Sequence, residues 1–215
     1  YGIRQGVEIK LKKNIPVAAG MAGGSTDAAV TMLAMNDLYE LGLTKEELMQ
    51  QAVQLGADIP FCILGGTALA EGIGERLTPL PAPPQASLLI VKPPIMVPTK
   101  WVYENLHANA LERHPDIDGM VEALGQGDLK RMTQHMENVM ETVTERAYPI
   151  ITDIKKMMCG SGAMNALMSG SGPSIFGVFL EEETARAAAV YVDQTLRTKG
   201  IEAQVNVTGF YNTES

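Results

Sequence analysis

Apolar and polar positions alternate from the start of the chain. Val7, Ile9 and Leu11 interleave with Glu8, Lys10 and Lys12, a period of two that predicts a strand over 7–13. The pattern then dissolves into small residues, Pro16-Val17-Ala18-Ala19-Gly20-Met21-Ala22-Gly23-Gly24-Ser25-Thr26-Asp27, and returns with helical spacing. Ala28, Ala29, Leu33, Leu38 and Leu41 near one stripe, with Gly42 as a stop, predict a helix from about 26 to 41. Thr44-Lys45-Glu46-Glu47 has capping-box spacing and opens a second helix that ends at Gly56. Pro60 biases Ile59 away from the α region, so 57–63 is not expected simply to extend that helix. A strand over 67–70 and a glycine turn over 71–75 follow.

Four prolines between Thr78 and Pro84 form a stiff connector and the best boundary, dividing the chain into 1–84 and 85–215. Beyond it an apolar strand runs over 87–91, and helical patterns cover 116–124, 129–146 and 150–158. The second of these carries Met132, Met136, Val139, Met140 and Val143, a stripe that suits core filling. A strand at 174–180, a helix at 182–197 and an alternating strand through Ile201, Ala203, Val205 and Val207 complete the order. That order reads as an α+β chain in two lobes.

Composition narrows the chemistry. The chain is 46% hydrophobic and 20% charged, as a globular protein is, and its net charge of −8 opposes a nucleic-acid surface. It holds no apolar run long enough to span a bilayer. Cys62 and Cys159 fit neither a zinc cluster nor a disulfide framework, and read as thiols of a reducing cytoplasm. His107, His114 and His135 lack metal-ligand spacing. The glycine-rich run is therefore the leading chemical feature. Gly20, Gly23 and Gly24 can take positive φ, Ser25, Thr26 and Asp27 are plausible caps, and a helix N-terminus there would favour an anion. It is neither a Walker A loop nor a Rossmann fingerprint, and the alternative to a phosphate cradle is a tight turn before a small-residue helix. Asp58, between Gly56 and Pro60, reads either as a catalytic carboxylate or as a capping or turn aspartate.

Three segments in order carry a resemblance. Pro16 to Ala29, Leu55-Gly56-Ala57-Asp58-Ile59-Pro60-Phe61, and Leu167-Met168-Ser169-Gly170-Ser171-Gly172-Pro173-Ser174-Ile175-Phe176-Gly177 resemble the three motifs of the galactokinase, homoserine kinase, mevalonate kinase and phosphomevalonate kinase superfamily. The likeness is greatest to the bacterial branch whose substrate carries a cytidine diphosphate, and it covers essentially the whole chain. It implies a two-lobed fold, the first lobe like ribosomal protein S5 domain 2 and the second ferredoxin-like. It also implies phosphorylation, by ATP with Mg2+, of the 2-hydroxyl of 4-diphosphocytidyl-2-C-methyl-D-erythritol, a step of the non-mevalonate route to isoprenoid precursors.

The resemblance makes Asp58 the catalytic carboxylate. It makes Pro16, Val17, Ala18, Ala19, Gly20, Met21, Ala22, Gly23, Gly24, Ser25 and Thr26 the nucleotide-phosphate loop, with Ser25 or Thr26 the hydroxyl nearest the magnesium. Thr99 and Tyr103 fall where relatives contact the cytidine end, with Gly170, Ser171 and Gly172 completing the substrate side. Met21, Ala22 and Thr26 depart from the usual Leu, Gly and Ser, and Ala22 is expected at negative φ or facing away from the phosphates. The family's first motif, with the lysine that pairs with the aspartate, is upstream of Tyr1. The expectation is that upstream sequence is missing, and Lys10, Lys12 and Lys13 are not assigned its role. The implied partner is a small molecule, with neither nucleic acid nor membrane. Rival readings are a homoserine or mevalonate type of kinase and a non-catalytic ATP-binding fragment.

Overall fold

The computed structural model describes residues 1–107, 111 and 113–211, which divide into two compact units: 1–17 with 22–80, and 18–21 with 81–211. In the first unit, helices α1 (Gly23–Leu38), α2 (Lys45–Ala52) and α3 (Ile59–Leu64) precede a hairpin of β1 (Thr67–Glu71) and β2 (Arg76–Leu80). Ala29, Leu48, Ala52, Ile59 and Ile63 form the buried centre of the helical part. The small Ala28 and Ala29 let α1 lie close against α3. The capping box at α2 is complete: the Glu47 amide donates to Thr44 Oγ1 at 3.2 Å, and the Thr44 amide donates to Glu47 Oε2 at 2.9 Å.

Three expectations for this unit fail. Residues 7–13 form no strand, and Val7, Ile9 and Leu11 are 47%, 61% and 61% exposed. Alternation supplies the faces of a strand but not its ladder, and no described strand pairs with this segment. Helix α1 starts at Gly23 and stops at Leu38, because Glu40 at φ 50° and Gly42 at φ 66° turn the chain left-handed. Ile59 is helical against the bias of Pro60, which sits in the first turn, where its missing N–H costs nothing, although 59–64 is a separate helix and, as expected, no extension of α2. The proline connector is also shorter than its composition suggests. Pro79 is a strand residue opposite Ala68, tolerated because each strand of a two-stranded sheet has a free edge.

The second unit contains β3 (Ser87–Lys92), α4 (Thr99–Asn105), α5 (Ile117–Gly125), α6 (Leu129–His135), α7 (Glu141–Ala147), α8 (Ile150–Gly160), β4 (Asn165–Met168), β5 (Ile175–Phe179), α9 (Glu182–Thr198) and β6 (Gln204–Gly209). Its sheet has the order β4-β5-β3-β6 with every pairing antiparallel, the ferredoxin-like arrangement. One core joins Leu89 and Val91 of β3 and Ile175 and Phe179 of β5 to Ile151, Ile154 and Met158 of α8 and Ala185, Ala188, Val192 and Leu196 of α9. The period-two and 3.6-residue patterns thus meet on one face of the sheet. Each large side chain buried there contributes about 1.5–3 kcal/mol.

The helix expected over 129–146 is two helices, α6 and α7, with an irregular break at 136–140. Lys155 of α8 secures the second, its ammonium donating to Glu141 Oε2 at 2.5 Å and Glu145 Oε1 at 2.7 Å. Burial pulls the Lys155 pKa down, but its hydrogen bonds to the two carboxylates outweigh this and hold it above the ordinary lysine value. Burial pushes the Glu141 carboxyl up, and the pull of Lys155 does not fully reverse it. Two carboxylates share one cation, so one of them carries the cost of burial. The lysine's contribution is complete below its unfolded pKa and is lost as pH rises through the higher folded value. Lys155→Met should cost about 1–3 kcal/mol at pH 7, by leaving two half-buried carboxylates without their cation. Part of that loss should return on acidification, as Glu141 takes a proton in the folded state. Urea midpoints at pH 7 and pH 5 test this, and an equal loss at both would contradict it.

Candidate active site

In the first unit the site is built on the start of α1. Ala22 takes φ 47° and ψ 25°, and no side chain caps the helix, so its first amides keep their donors. The left-handed turn at Ala22 opens the helix early. Ser25, Thr26 and Asp27 therefore lie inside its first turns instead of capping it, and the expectation of negative φ at Ala22 fails. Thr26 Oγ1 donates to the Ala22 carbonyl at 3.0 Å and lies 3.6 Å from Cys62 Sγ of α3. Lys13 donates from Nζ to the Gly23 carbonyl at 3.3 Å and pairs with the Asp27 carboxylate. A lysine–aspartate ion pair therefore stands beside the uncapped helix start.

Asp58 is exposed at the head of α3, and its carboxylate makes no capping hydrogen bond. Asp58 thus occupies the N-cap position of α3 without a side-chain cap bond, and it forms no ion pair among the described residues. The Cys62 amide donates to the Asp58 carbonyl at 3.2 Å, so Asp58 lies one helical turn before the residue that touches Thr26. The first turn of α1 thus touches α3 one turn beyond Asp58. Pro16 and Val17 belong to this unit too, and Val17 is 69% exposed.

Ala18, Ala19, Gly20 and Met21 belong to the second unit. The buried Ala19 accepts at its carbonyl from the Ser174 amide (3.3 Å), and Gly20 accepts from Ser169 Oγ (2.7 Å). The 169–174 loop closes on itself through Ser169 N to Ser174 O (2.8 Å) and Gly172 N to Ser169 O (2.9 Å). Ser171, only 6% exposed, shares a 2.8 Å hydrogen bond with Thr99 Oγ1 at the start of α4. Trp101 packs edge-on against Tyr148, with centroids 6.5 Å apart, and Val102 is buried. These anchors leave Tyr103 59% exposed, one turn beyond Thr99. Thr99 and Ser171 are in contact, therefore, with Tyr103 following on the same side of α4.

Of the three glycines in the loop only Gly20 has positive φ, 69°; Gly23 and Gly24 are helical. A Cβ on Gly20 would lie 2.1 Å from the Ser169 carbonyl oxygen, whereas one on Gly24 would meet nothing within 4 Å. Sequence reasoning left Lys13 and Ser169 without roles and passed over Asn138, which bonds to the 168–170 backbone from the helix break. An asparagine inside a helical methionine stripe was the available signal. Gly20→Ala should destabilise the second unit by about 2 kcal/mol or more through strain and a backbone clash. Gly24→Ala should leave thermal stability unchanged or slightly raised. Equal melting temperatures for the two variants would contradict this geometry.

Residues 1–66 match the family described as GHMP kinases N terminal domain, and residues 120–198 match GHMP kinases C terminal. The 4-diphosphocytidyl-2-C-methyl-D-erythritol kinase of Lachnospira eligens is 50% identical over 208 residues, which are 97% of this chain and 71% of that protein. A crystal structure of 4-(cytidine 5'-diphospho)-2C-methyl-D-erythritol kinase matches with a TM-score of 0.74 at 32% identity, over 93% of this chain and 70% of that one. Homoserine kinase from Cytophaga hutchinsonii matches with a TM-score of 0.79 at 22% identity, over 93% and 68% of the two chains, a likeness of fold. The chain belongs to the GHMP kinase family and, within it, to the 4-diphosphocytidyl-2-C-methyl-D-erythritol kinases.

Proposed function

We propose that this chain carries the phosphoryl-transfer machinery that moves the γ-phosphoryl group of ATP to the 2-hydroxyl of 4-diphosphocytidyl-2-C-methyl-D-erythritol. The observation that carries this reading is Asp58, an exposed carboxylate without a capping hydrogen bond, one turn from the residue that touches the start of α1. A structural aspartate would use its oxygens on nearby amides; this one keeps them for a ligand. The bond from the 2-oxygen to phosphorus forms as the bond from the γ-phosphorus to ADP breaks, and Asp58 receives or orients the hydroxyl proton.

The 16–26 loop is proposed to hold the ATP phosphates. Uncapped amides at the start of α1 supply the positive field, and Lys13 offsets the charge of Asp27 beside them. A magnesium ion would neutralise charge on the phosphate oxygens, with the protein supplying only a ligand or two. Ser25 or Thr26 would supply that hydroxyl oxygen; the Thr26 hydroxyl donates its proton to the Ala22 carbonyl, which leaves its oxygen lone pairs for a metal. On the substrate side, the exposed Tyr103 ring offers a face for stacking a cytosine, with Thr99 and the 170–172 loop beside it.

In this reading residues 1–84 are the remainder of the ATP-binding lobe and 85–215 the C-terminal kinase lobe. The enzyme is cytoplasmic, serves the non-mevalonate route, and uses neither nucleic acid nor membrane as partner. No helix among the described residues is long and apolar enough to cross a bilayer. Asp58→Asn should lower the rate of phosphoryl transfer by about 10²-fold or more, because the proton acceptor is lost. Its melting temperature and ATP affinity should stay near those of the parent. An unchanged rate would remove Asp58 from the mechanism.

A further inference from the structure

Strand β4 lies at the edge of its sheet, so its outward backbone groups have no strand to bond. Side chains from the 133–141 segment supply the partners. Glu141 Oε1 accepts from the Met168 amide at 2.7 Å, and Asn138 Nδ2 donates to the Met168 carbonyl at 2.8 Å. Asn138 Nδ2 also donates to the Gly170 carbonyl at 2.8 Å, while its Oδ1 accepts from the Met140 amide at 2.9 Å. One planar amide therefore spends two donors and an acceptor, fixing both its own orientation and the start of the glycine loop. Asn165 Nδ2 ties the same segment down by donating to the Thr133 carbonyl at 2.7 Å.

We propose that Asn138 is a positioning residue. It holds the 169–174 loop in the shape that presents Ser169 to the Gly20 carbonyl and the Ser174 amide to the Ala19 carbonyl, and so fixes the Ala18–Met21 part of the phosphate loop. Its importance for phosphoryl transfer rests on the kinase reading above. Three features separate this role from general stabilisation. Asn138 is only half-buried, its side chain is absent from the apolar core, and its two donors meet at the mouth of the loop, on Met168, the last residue of β4, and on Gly170 within the loop. The break between α6 and α7 has a use on this view: a continuous helix would draw the Asn138 backbone into its own ladder and alter where the amide reaches.

Asn138→Asp tests the proposal. It preserves size and the acceptor for the Met140 amide, but sets an anionic oxygen against two carbonyl oxygens. Amide hydrogen exchange at Ser169, Gly172 and Ser174 should quicken by about tenfold or more, the scale set by losing two neutral hydrogen bonds. Amides of β3 and α9 should keep their protection. The KM for ATP should rise, and adding Ser169→Ala should raise it little further, since both changes break one chain of contacts. Unchanged loop exchange, a uniform loss of protection across the sheet, or additive effects on KM would each overturn the proposal. The exchange experiment needs no nucleotide. A parent protein that fails to bind ATP would overturn the kinase reading by itself, while unaltered exchange in the variant overturns this inference.

Discussion

The hydrogen bond from Ser169 Oγ to the Gly20 carbonyl, made where a Cβ on Gly20 could not fit, ties the Ala18–Met21 segment to the glycine loop of the second unit. It joins segments 149 positions apart in sequence and lets Ala18–Met21 be held by the ferredoxin-like unit. Such a contact cannot be made by apolar burial, which is indifferent to direction. It needs a hydroxyl aimed at a carbonyl and two loops bent left-handed, at Gly20 with φ 69° and at Gly170 with φ 55°. The sheet behind the loop provides the rigidity for this. Met168 ends β4 and Ile175 begins β5, paired with each other, so the glycine loop is the connection between two bonded strands.

The first unit answers a different physical demand. An anion at a helix start is stabilised only if the first amides remain free, and a serine or threonine cap would occupy some of them. Ala22 opens α1 without a capping side chain, at the modest cost of a left-handed alanine, about 1–2 kcal/mol. Asp27 is a carboxylate near this turn, and Lys13 pairs with it. The proposed phosphate site is thus spared a bare negative charge. Asp58 is left outside that pairing.

Much of this was legible in the residues. The capping box at Thr44, the helical segment of α9 with Gly200 at its end, and the apolar run of β3 each specify an element through local chemistry, and each formed. The three motifs carried the family, because glycines and an aspartate in that order are hard to obtain from packing alone. What stayed illegible was set by tertiary partners. The alternation at 7–13 had no strand to pair with, and the methionine stripe concealed a break at Asn138 whose purpose lies some thirty residues along the chain. Ala22 misled for a similar reason: an alanine gives no sign that its surroundings hold it at positive φ.

The most direct test of the account is ADP release with magnesium-ATP in the presence of 4-diphosphocytidyl-2-C-methyl-D-erythritol, homoserine or mevalonate, each supplied separately. The account predicts release that depends on the cytidyl substrate and is near background with the other two. Release driven by homoserine or mevalonate, or nucleotide binding with no release for any of the three, would contradict it.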